Sequence, residues 1–474
     1  MSVSKRLNEQ IPAILKAGRV PGLSIALIED CQVTWQSGFG VRSAGIGSPV
    51  TTETVFEAAS LTKPLFAYLA LLAVDSCLLE LDVPLVTYLD RETIEMEVIQ
   101  HPLDIEGFRR DWFEQVTARH VLSHSSGMPH GERDVPFPLL FEPGFKFKYS
   151  ATGYYFLQLV IERLKGESLE RIAESELFRP LSMGRSSLVW LERFRADAAD
   201  GHDVRGSPQA IREYRRAHAA ASKYTTAGDY AHFVAACLKG EGLTESSKRA
   251  MCTPQISVQG NDFWGLGFGI QRDEAGDALW QWGDYGIYQN FVIAYPNHGA
   301  AVVYLSNSHH GLGIRDVIVR TAMGSEVTTS EYLTGYSTYD SPAPQFAWLV
   351  LEEDARTALR RLPSLRKSAE PLDGTVLSTL SDLLLEEGRI EDAIAVLELN
   401  VEENPRSAIT YDSLADAYLR RSDQGDRERA LANYRKVLET IPDDTSWDTD
   451  FLDQLRRDTE VSIFKLESEE PDIK

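Results

Sequence analysis

Ser60 and Lys63 stand three residues apart in Ala59-Ser60-Leu61-Thr62-Lys63, directly ahead of the apolar run 65–74. In a helix that starts at Ser60, positions three apart share a face, so the ammonium reaches the hydroxyl. A serine becomes a nucleophile when a base lies beside it, and a lysine serves as that base once an apolar wall lowers its pKa. A helix N-terminus also favours the negative charge that develops on attack, and Pro64 is tolerated in a first turn. The tetrapeptide alone is a weak signal, because Ser-x-x-Lys also begins at Ser2, Ser364 and Ser462. Position sets Ser60 apart. Ser2 is terminal, Ser364 follows Pro363 in a basic stretch, and Ser462 lies near an acidic tail, whereas Ser60 stands between a strand-like segment, 55–59, and a buried-looking helix.

Two further stretches carry chemical side chains. In 120–129, His120 and His124 stand four apart before a serine-rich turn ending in Gly127. That spacing suits a metal, yet no third ligand accompanies it, so a hydrogen-bonding anchor is the preferred reading. Tyr149 follows the turn Glu142-Pro143-Gly144 and closes a stretch, 146–149, that reads as a short strand or an extended segment. A helix over 153–165 comes next, with Tyr155, Leu157, Leu159, Val160 and Leu164 as its core face. By itself such a tyrosine is an ordinary half-buried amphipathic residue.

The elements that position these residues follow from periodicity. Ser4 caps a first helix with Leu7, Ile11, Ile14 and Leu15 on one face, stopped by Pro21-Gly22. Segments 23–28 and 33–39 form a hairpin across Glu29-Asp30. Beyond an irregular region up to about residue 119, Thr226 caps a helix over 230–238. Residues 263–271, with Gly265, Gly267 and Gly269 alternating with apolar residues, read as one strand that is closely approached from one side. Segments 279–283, 290–294 and 300–305 are three more antiparallel strands, with 296–299 as the last hairpin turn. A helix over 312–323 closes the domain. The first hairpin and the late strands belong to one sheet, and the helices between them form a second lobe.

The chain has 474 residues, enough for two or three domains, and a formal charge of −23. That charge argues against nucleic acid or an anionic membrane as the main partner. From Pro371 to Lys474 there are 12 basic and 26 acidic residues, a net −14 that marks a solvated helical surface. Cys31, Cys77, Cys237 and Cys252 show no paired spacing, which disfavours a zinc site or a disulfide framework. No signal-peptide pattern and no run long enough to span a bilayer occurs, so a soluble cytoplasmic protein is expected.

Together, Ser60-x-x-Lys63, the 122–127 segment, the Glu142-Pro143-Gly144 turn leading to Tyr149-Ser150, and the glycine-rich strand before Trp282-Gly283 occur in the order seen in penicillin-recognising serine hydrolases. The chain resembles class C β-lactamases, D-alanyl peptidases and related esterases over about residues 5–325. The resemblance implies a mixed α/β fold of the serine β-lactamase and penicillin-binding-protein type, an antiparallel sheet flanked by helices plus a helical lobe, with the site between them. It makes Ser60 the acylated nucleophile, Lys63 its base or proton relay, and Tyr149 the partner that protonates the leaving group. The backbone amides of Ser60 and Asp284 make the oxyanion hole, and no metal or organic cofactor is implied. Two places depart from the family. Its Tyr-Ser/Ala-Asn motif is here Tyr149-Ser150-Ala151, and its Lys/His-x-Gly motif is Gln281-Trp282-Gly283. The substrate-binding stretch Gln281, Trp282 and Gly283 thus lacks the cation that anchors a carboxylate, and an aromatic pocket from Trp280, Trp282 and Tyr285 is expected instead.

A second resemblance, to tetratricopeptide repeats, lies in Leu377, Leu380, Leu384, Ala393, Leu397 and Pro405, repeated 34 residues on by Tyr411, Leu414, Ala415, Tyr418, Ala430, Tyr434 and Pro442 with three extra residues near Gly425. Two units cannot bury a solenoid core alone, so 346–362 and 447–455 are expected as flanking caps. The expected organisation is a hydrolase domain over 1–325, a linker and flanking helix over 326–370, and an all-α repeat domain over 371–474. The function expected is a serine hydrolase acting on a small ester or amide with weak or no β-lactamase activity. The alternative is a retired hydrolase domain serving as a scaffold that binds a protein or peptide through its repeats.

Overall fold

The computed structural model describes the chain except residues 1, 132–136, 275, 325–328, 331, 334–335, 367–369, 448 and 469–474. It divides into two compact units, Met1–Thr334 and Gly335–Lys474.

In the first unit, strands β1 (Gly22–Glu29) and β2 (Gln32–Gly40) are joined by Asp30 and Cys31, both at positive φ, the backbone a two-residue hairpin turn requires. β3 (Phe56–Ala59) leaves this hairpin, and two-residue strands β4 (Gly201–His202) and β5 (Pro208–Gln209) lie in the later loops. β6 (Lys223–Thr225) pairs with β3. β7 (Ile256–Gln259), β8 (Asp262–Trp264), β9 (Gly269–Asp273), β10 (Gly276–Asp284), β11 (Gln289–Tyr295) and β12 (Ala300–Ser306) complete the main sheet. Its order is β2-β1-β12-β11-β10-β9-β8-β7, with antiparallel neighbours. The hairpin and the late strands therefore share a sheet, as the sequence implies. β11 and β12 are buried along nearly their whole length, whereas edge strand β2 alternates between exposed and half-buried residues.

The stretch 263–271 is not one strand. It breaks into β8 and β9 around a tight turn in which Gly267 has φ +95°, and a Cβ there would stand 2.3 Å from the Ala67 Cβ. Close approach was legible in the glycines; the turn that produces it was not, because alternating Gly and apolar residues fit both.

Helix α1 (Val3–Ala17) buries Leu7, Ile11, Ile14 and Leu15, as expected, but its cap is Ser2, whose side chain accepts from Lys5 N, and Gly18 ends it before Pro21. α2 (Thr62–Asp75) is buried on almost every side, so no face of it reads as amphipathic. Short helices α3 (Arg91–Thr93), α4 (Arg110–Phe113) and α5 (Ala118–Leu122) fill the irregular region. α6 (Thr152–Lys165) presents Tyr154, Leu157, Val160 and Ile161 to the core and leaves Tyr155 exposed, a rotation from the expected face. α7 (Leu169–Ala173), α8 (Ala227–Lys239, capped by Thr226) and α9 (Glu245–Cys252) complete the lobe, and α10 (Arg315–Met323) follows the sheet. α2, α6 and α8 share one apolar core with the inner residues of β1, β11 and β12.

The second unit is helical throughout: α11 (Pro342–Glu352), α12 (Ala355–Leu365), α13 (Gly374–Glu386), α14 (Ile390–Glu403), α15 (Ala408–Arg421), α16 (Asp426–Thr440) and α17 (Thr449–Ser468). The apolar segment 346–362 is two helices, because the Asp354 carboxylate caps a new start by accepting from Thr357 N. Phe346, Val350, Ala358 and Leu362 lie in the same core as Leu377, Leu380 and Leu384. Among the described residues no helix of the chain is long and apolar enough to cross a membrane.

Candidate active site

Ser60 occupies the turn between β3 and α2, half-buried, and the helix begins at Thr62. The expected helix start at Ser60 is thus two residues early. The strand must reverse into the helix at once, and Ala59 does so at φ +48°, a conformation that costs a residue with a Cβ roughly 1 kcal/mol or more and persists only where packing imposes it. Ala59 is buried and paired across β3 to Lys223. The Lys63 N–H donates to the Ser60 carbonyl at 3.0 Å, so the turn closes and brings both side chains to one side.

The Lys63 ammonium donates to Ser60 Oγ at 3.0 Å and to the Ala220 carbonyl at 2.9 Å. It lies 4.6 Å from the centre of the Tyr149 ring and 5.7 Å from that of Tyr154. Lys63 is 1% exposed, and burial pulls its pKa down to about 7. Among the described residues no carboxylate opposes that effect. The Tyr149 phenol is hydrogen-bonded to Ser60 and receives the Gln281 Nε2–H at 3.0 Å; burial raises its pKa well above the ordinary phenol value.

Gln281, fully buried in β10, also donates from Nε2 to the Ser60 carbonyl at 3.1 Å. A carbonyl can only accept, which fixes the amide orientation: nitrogen toward Ser60 and Tyr149. Beside it, a Cβ on Gly283 would stand 2.2 Å from the Ala58 carbonyl, so β10 can run this close to the nucleophile's strand only with glycine there. The Asp284 side chain accepts from Gly286 N at 2.6 Å and from Gln289 Nε2 at 3.2 Å, holding the turn after β10.

Of the two expectations for residues 146–149, the strand is not formed. Their register is set by His124: its carbonyl accepts from Lys148 N at 2.8 Å, its Nδ1 accepts from Ser150 N at 3.0 Å, and its ring lies 4.2 Å from that of Tyr149. Burial keeps this imidazole neutral. The anchor reading of His124 describes this role, whereas His120 lies apart, with Nδ1 accepting from Thr117 N. Their four-residue spacing does not place them on one helix face, because α5 ends at Leu122 and His124 turns to φ +54°.

The aromatic surroundings differ from expectation. The Trp282 ring lies 4.8 Å from Tyr149 and 5.6 Å from Tyr332. Trp280 is completely buried and packs edge-on against Trp264, so it supports the wall. Tyr285 is not part of this cluster: it stacks on Tyr214, and its hydroxyl donates to the Ala221 carbonyl. Trp264, Tyr332 and Tyr154 carried no sequence signal, because nothing in their neighbours marks them as lining a site.

The family profile named Beta-lactamase matches residues 7–321. The chain belongs to the beta-lactamase family. It is a serine hydrolase of that family, similar to Penicillin-binding protein 4* of Bacillus subtilis, 22% identical over 339 residues that cover 63% of this chain and 71% of that protein. It is also similar to esterase EstB of Burkholderia gladioli, 25% identical over 240 residues, 44% of this chain and 57% of that esterase. In fold it is similar to the octameric penicillin-binding protein homologue from Pyrococcus abyssi, with a TM-score of 0.57 and 23% identity over 74% of this chain and 82% of that one. The D-alanine carboxypeptidase AmpC from Burkholderia cenocepacia gives 0.57 and 20% over 68% and 99%. Against the beta-lactamase-family motifs, this member places a neutral amide, Gln281, on its tyrosine, and Ala151 follows Ser150, whose Oγ donates to the Pro129 carbonyl at 2.7 Å.

Proposed function

We propose that this beta-lactamase-family hydrolase works through an acyl-enzyme on Ser60 and acts on esters or amides that present no carboxylate at the Gln281 position, in the manner of a carboxylesterase. The observation that carries the reading is the 3.0 Å contact between Lys63 Nζ and Ser60 Oγ, made by a lysine whose burial brings its pKa to about 7. A lysine of that basicity is substantially neutral at physiological pH and accepts the Ser60 proton as Oγ bonds to the acyl carbon. Tyr149, kept protonated by burial, then delivers its proton to the departing oxygen or nitrogen and is reprotonated from Lys63. Water repeats the sequence in reverse to release the acid. The backbone N–H groups of Ser60 and Asp284 stabilise the oxyanion, the larger share of the rate in such chemistry.

Gln281 favours the esterase side over penicillin recognition. Its nitrogen is committed to Ser60 and Tyr149 and carries no charge, so Gln281 itself offers a substrate carboxylate no cation. The relatives named as an esterase and as a penicillin-binding protein bracket this choice. The test is incubation with a fluorophosphonate, intact mass and peptide mapping. Labelling at Ser60 alone, lost in Ser60→Ala, supports the hydrolase; an unmodified chain under conditions that label a known family member overturns it in favour of a scaffold acting through the helical unit.

A further inference from the structure

The cation that Gln281 lacks is not absent from the first unit; it stands just past the C-terminal end of the same strand, beside Tyr285. Along β10 the proposed leaving-group acid, Tyr149, is held at Gln281, the proposed oxyanion donor is Asp284, and Tyr285 comes next. What lies beyond Asp284, away from Tyr149, therefore faces the acyl part of a substrate. Strand rise makes the separation from Gln281 to Tyr285 about 13 Å. The Tyr285 hydroxyl donates to the Ala221 carbonyl, and the adjacent carbonyl, Ala220, accepts from Lys63.

Arg212 lies over this tyrosine. Its guanidinium carbon is 4.4 Å from the Tyr285 ring centre, and the group donates to the Tyr285 carbonyl at 3.0 Å and the Tyr214 hydroxyl at 3.3 Å. Its backbone is clamped as well: the N–H donates to Glu57 Oε1 at 2.7 Å, and the carbonyl accepts from the Tyr224 hydroxyl. Neighbouring arginines are spent on ion pairs, Arg195 and Arg215 with Glu213 and Arg216 with Glu97. Among the described residues no carboxylate comes within ion-pair distance of Arg212, and the side chain is exposed. A guanidinium oriented by two acceptors and an aromatic face, with no carboxylate bonded to it and only the Glu57 carboxylate acting on it from farther off, is preorganised for an anion.

We propose that Arg212 is a specificity residue that binds a carboxylate at the far end of the substrate's acyl group. This deepens the hydrolase reading and rests on it. The preferred substrate is an ester or amide whose acyl chain ends in an anion, the reverse of the penicillin arrangement, in which the carboxylate lies on the leaving-group side.

The test compares two 4-nitrophenyl esters of equal acyl length, one ending in a carboxylate and the other in a carboxamide. The expected ratio of their kcat/KM values is on the order of 10–100 in favour of the carboxylate, from one charge-assisted bidentate contact. It falls with added salt, collapses toward one in Arg212→Gln, and is partly kept in Arg212→Lys, with melting curves checking that both variants fold. A ratio near one in the wild type, or a ratio unchanged in Arg212→Gln, overturns the proposal while ester turnover and Ser60 labelling leave the hydrolase reading standing. Absence of both turnover and labelling overturns the two together. If Arg212→Gln does not fold, the salt dependence of the wild-type ratio decides: a ratio indifferent to salt counts against Arg212.

Discussion

Lys63 Nζ stands 3.0 Å from Ser60 Oγ, and among the described residues no carboxylate stabilises its charge, so the same burial that makes the pair also sets its pH behaviour. Only neutral lysine takes the serine proton. With a pKa of about 7, kcat/KM is expected to rise about tenfold per unit below pH 7 and to level off above it. A pH profile of aryl ester hydrolysis checks this; a flat profile from pH 5 to 8 excludes Lys63 as the base.

Stability follows from the same shift. Between about pH 7 and the ordinary lysine value of 10.5, the unfolded chain binds a proton that the folded chain does not. The Lys63 contribution to stability therefore increases with pH across that window, and at neutral pH most of the penalty remains. Lys63→Met should abolish turnover yet raise Tm at pH 7, by a stabilisation on the order of a few kcal/mol. A variant that melts lower would show that the bonds to Ser60 and Ala220 outweigh desolvation.

Tyr149 and Ser60 separate in their effects. Ser60→Ala removes the nucleophile and should remove probe labelling and turnover together. Tyr149→Phe removes the proposed acid, and a loss of about 10²–10⁴ in kcat is expected. The loss should be smaller for a 4-nitrophenyl ester, whose leaving group needs little protonation, than for an amide. Equal losses on both would assign Tyr149 a role other than leaving-group protonation.

On the proposed reading, Gln281 and Ala151 stand where the family motifs put the groups that meet a penicillin's carboxylate and side-chain amide. The missing charge-assisted bond to the carboxylate is worth about 1.5–3 kcal/mol and the missing neutral amide bond about 0.5–1.5 kcal/mol, and the two together lower the rate on the order of 10–10³. Short-chain aryl esters should therefore be turned over measurably, and penicillins or cephalosporins little or not at all. Side-by-side kinetics decide; a penicillin specificity constant equal to that of the ester sinks the reading.

The first unit's boundary is also testable. Ser330 Oγ and Tyr332 N both donate to the buried Asp262 carboxylate, and Arg315 donates to the Leu333 carbonyl. A chain ending at Thr334 is expected to melt cooperatively, whereas one ending at residue 325 leaves Asp262 without those donors and should melt several degrees lower. Insolubility of the longer chain would mean that the helical unit completes the hydrolase core.

What the sequence determined by itself is local or periodic. Ser60 and Lys63 were legible as candidates from their spacing and flanking segments, Tyr149 only through the order of motifs the family shares, and the strands 279–283, 290–294 and 300–305 as short apolar runs bounded by turn residues. The Thr226 cap was readable for the same reason, one hydroxyl bonding an amide three residues on. The tertiary structure decided everything that depends on residues far apart in the chain. Gln281 meets Ser60 across 221 positions, Arg212 meets Tyr285 across 73, and His124 meets Ser150 across 26. It also decided which tryptophan flanks Tyr149 and which lies beneath it, where α6 turns its face, and that Ser60 precedes its helix. Composition cannot encode these, because burial, and with it the pKa of Lys63, is a property of the packed neighbours and not of the residue itself.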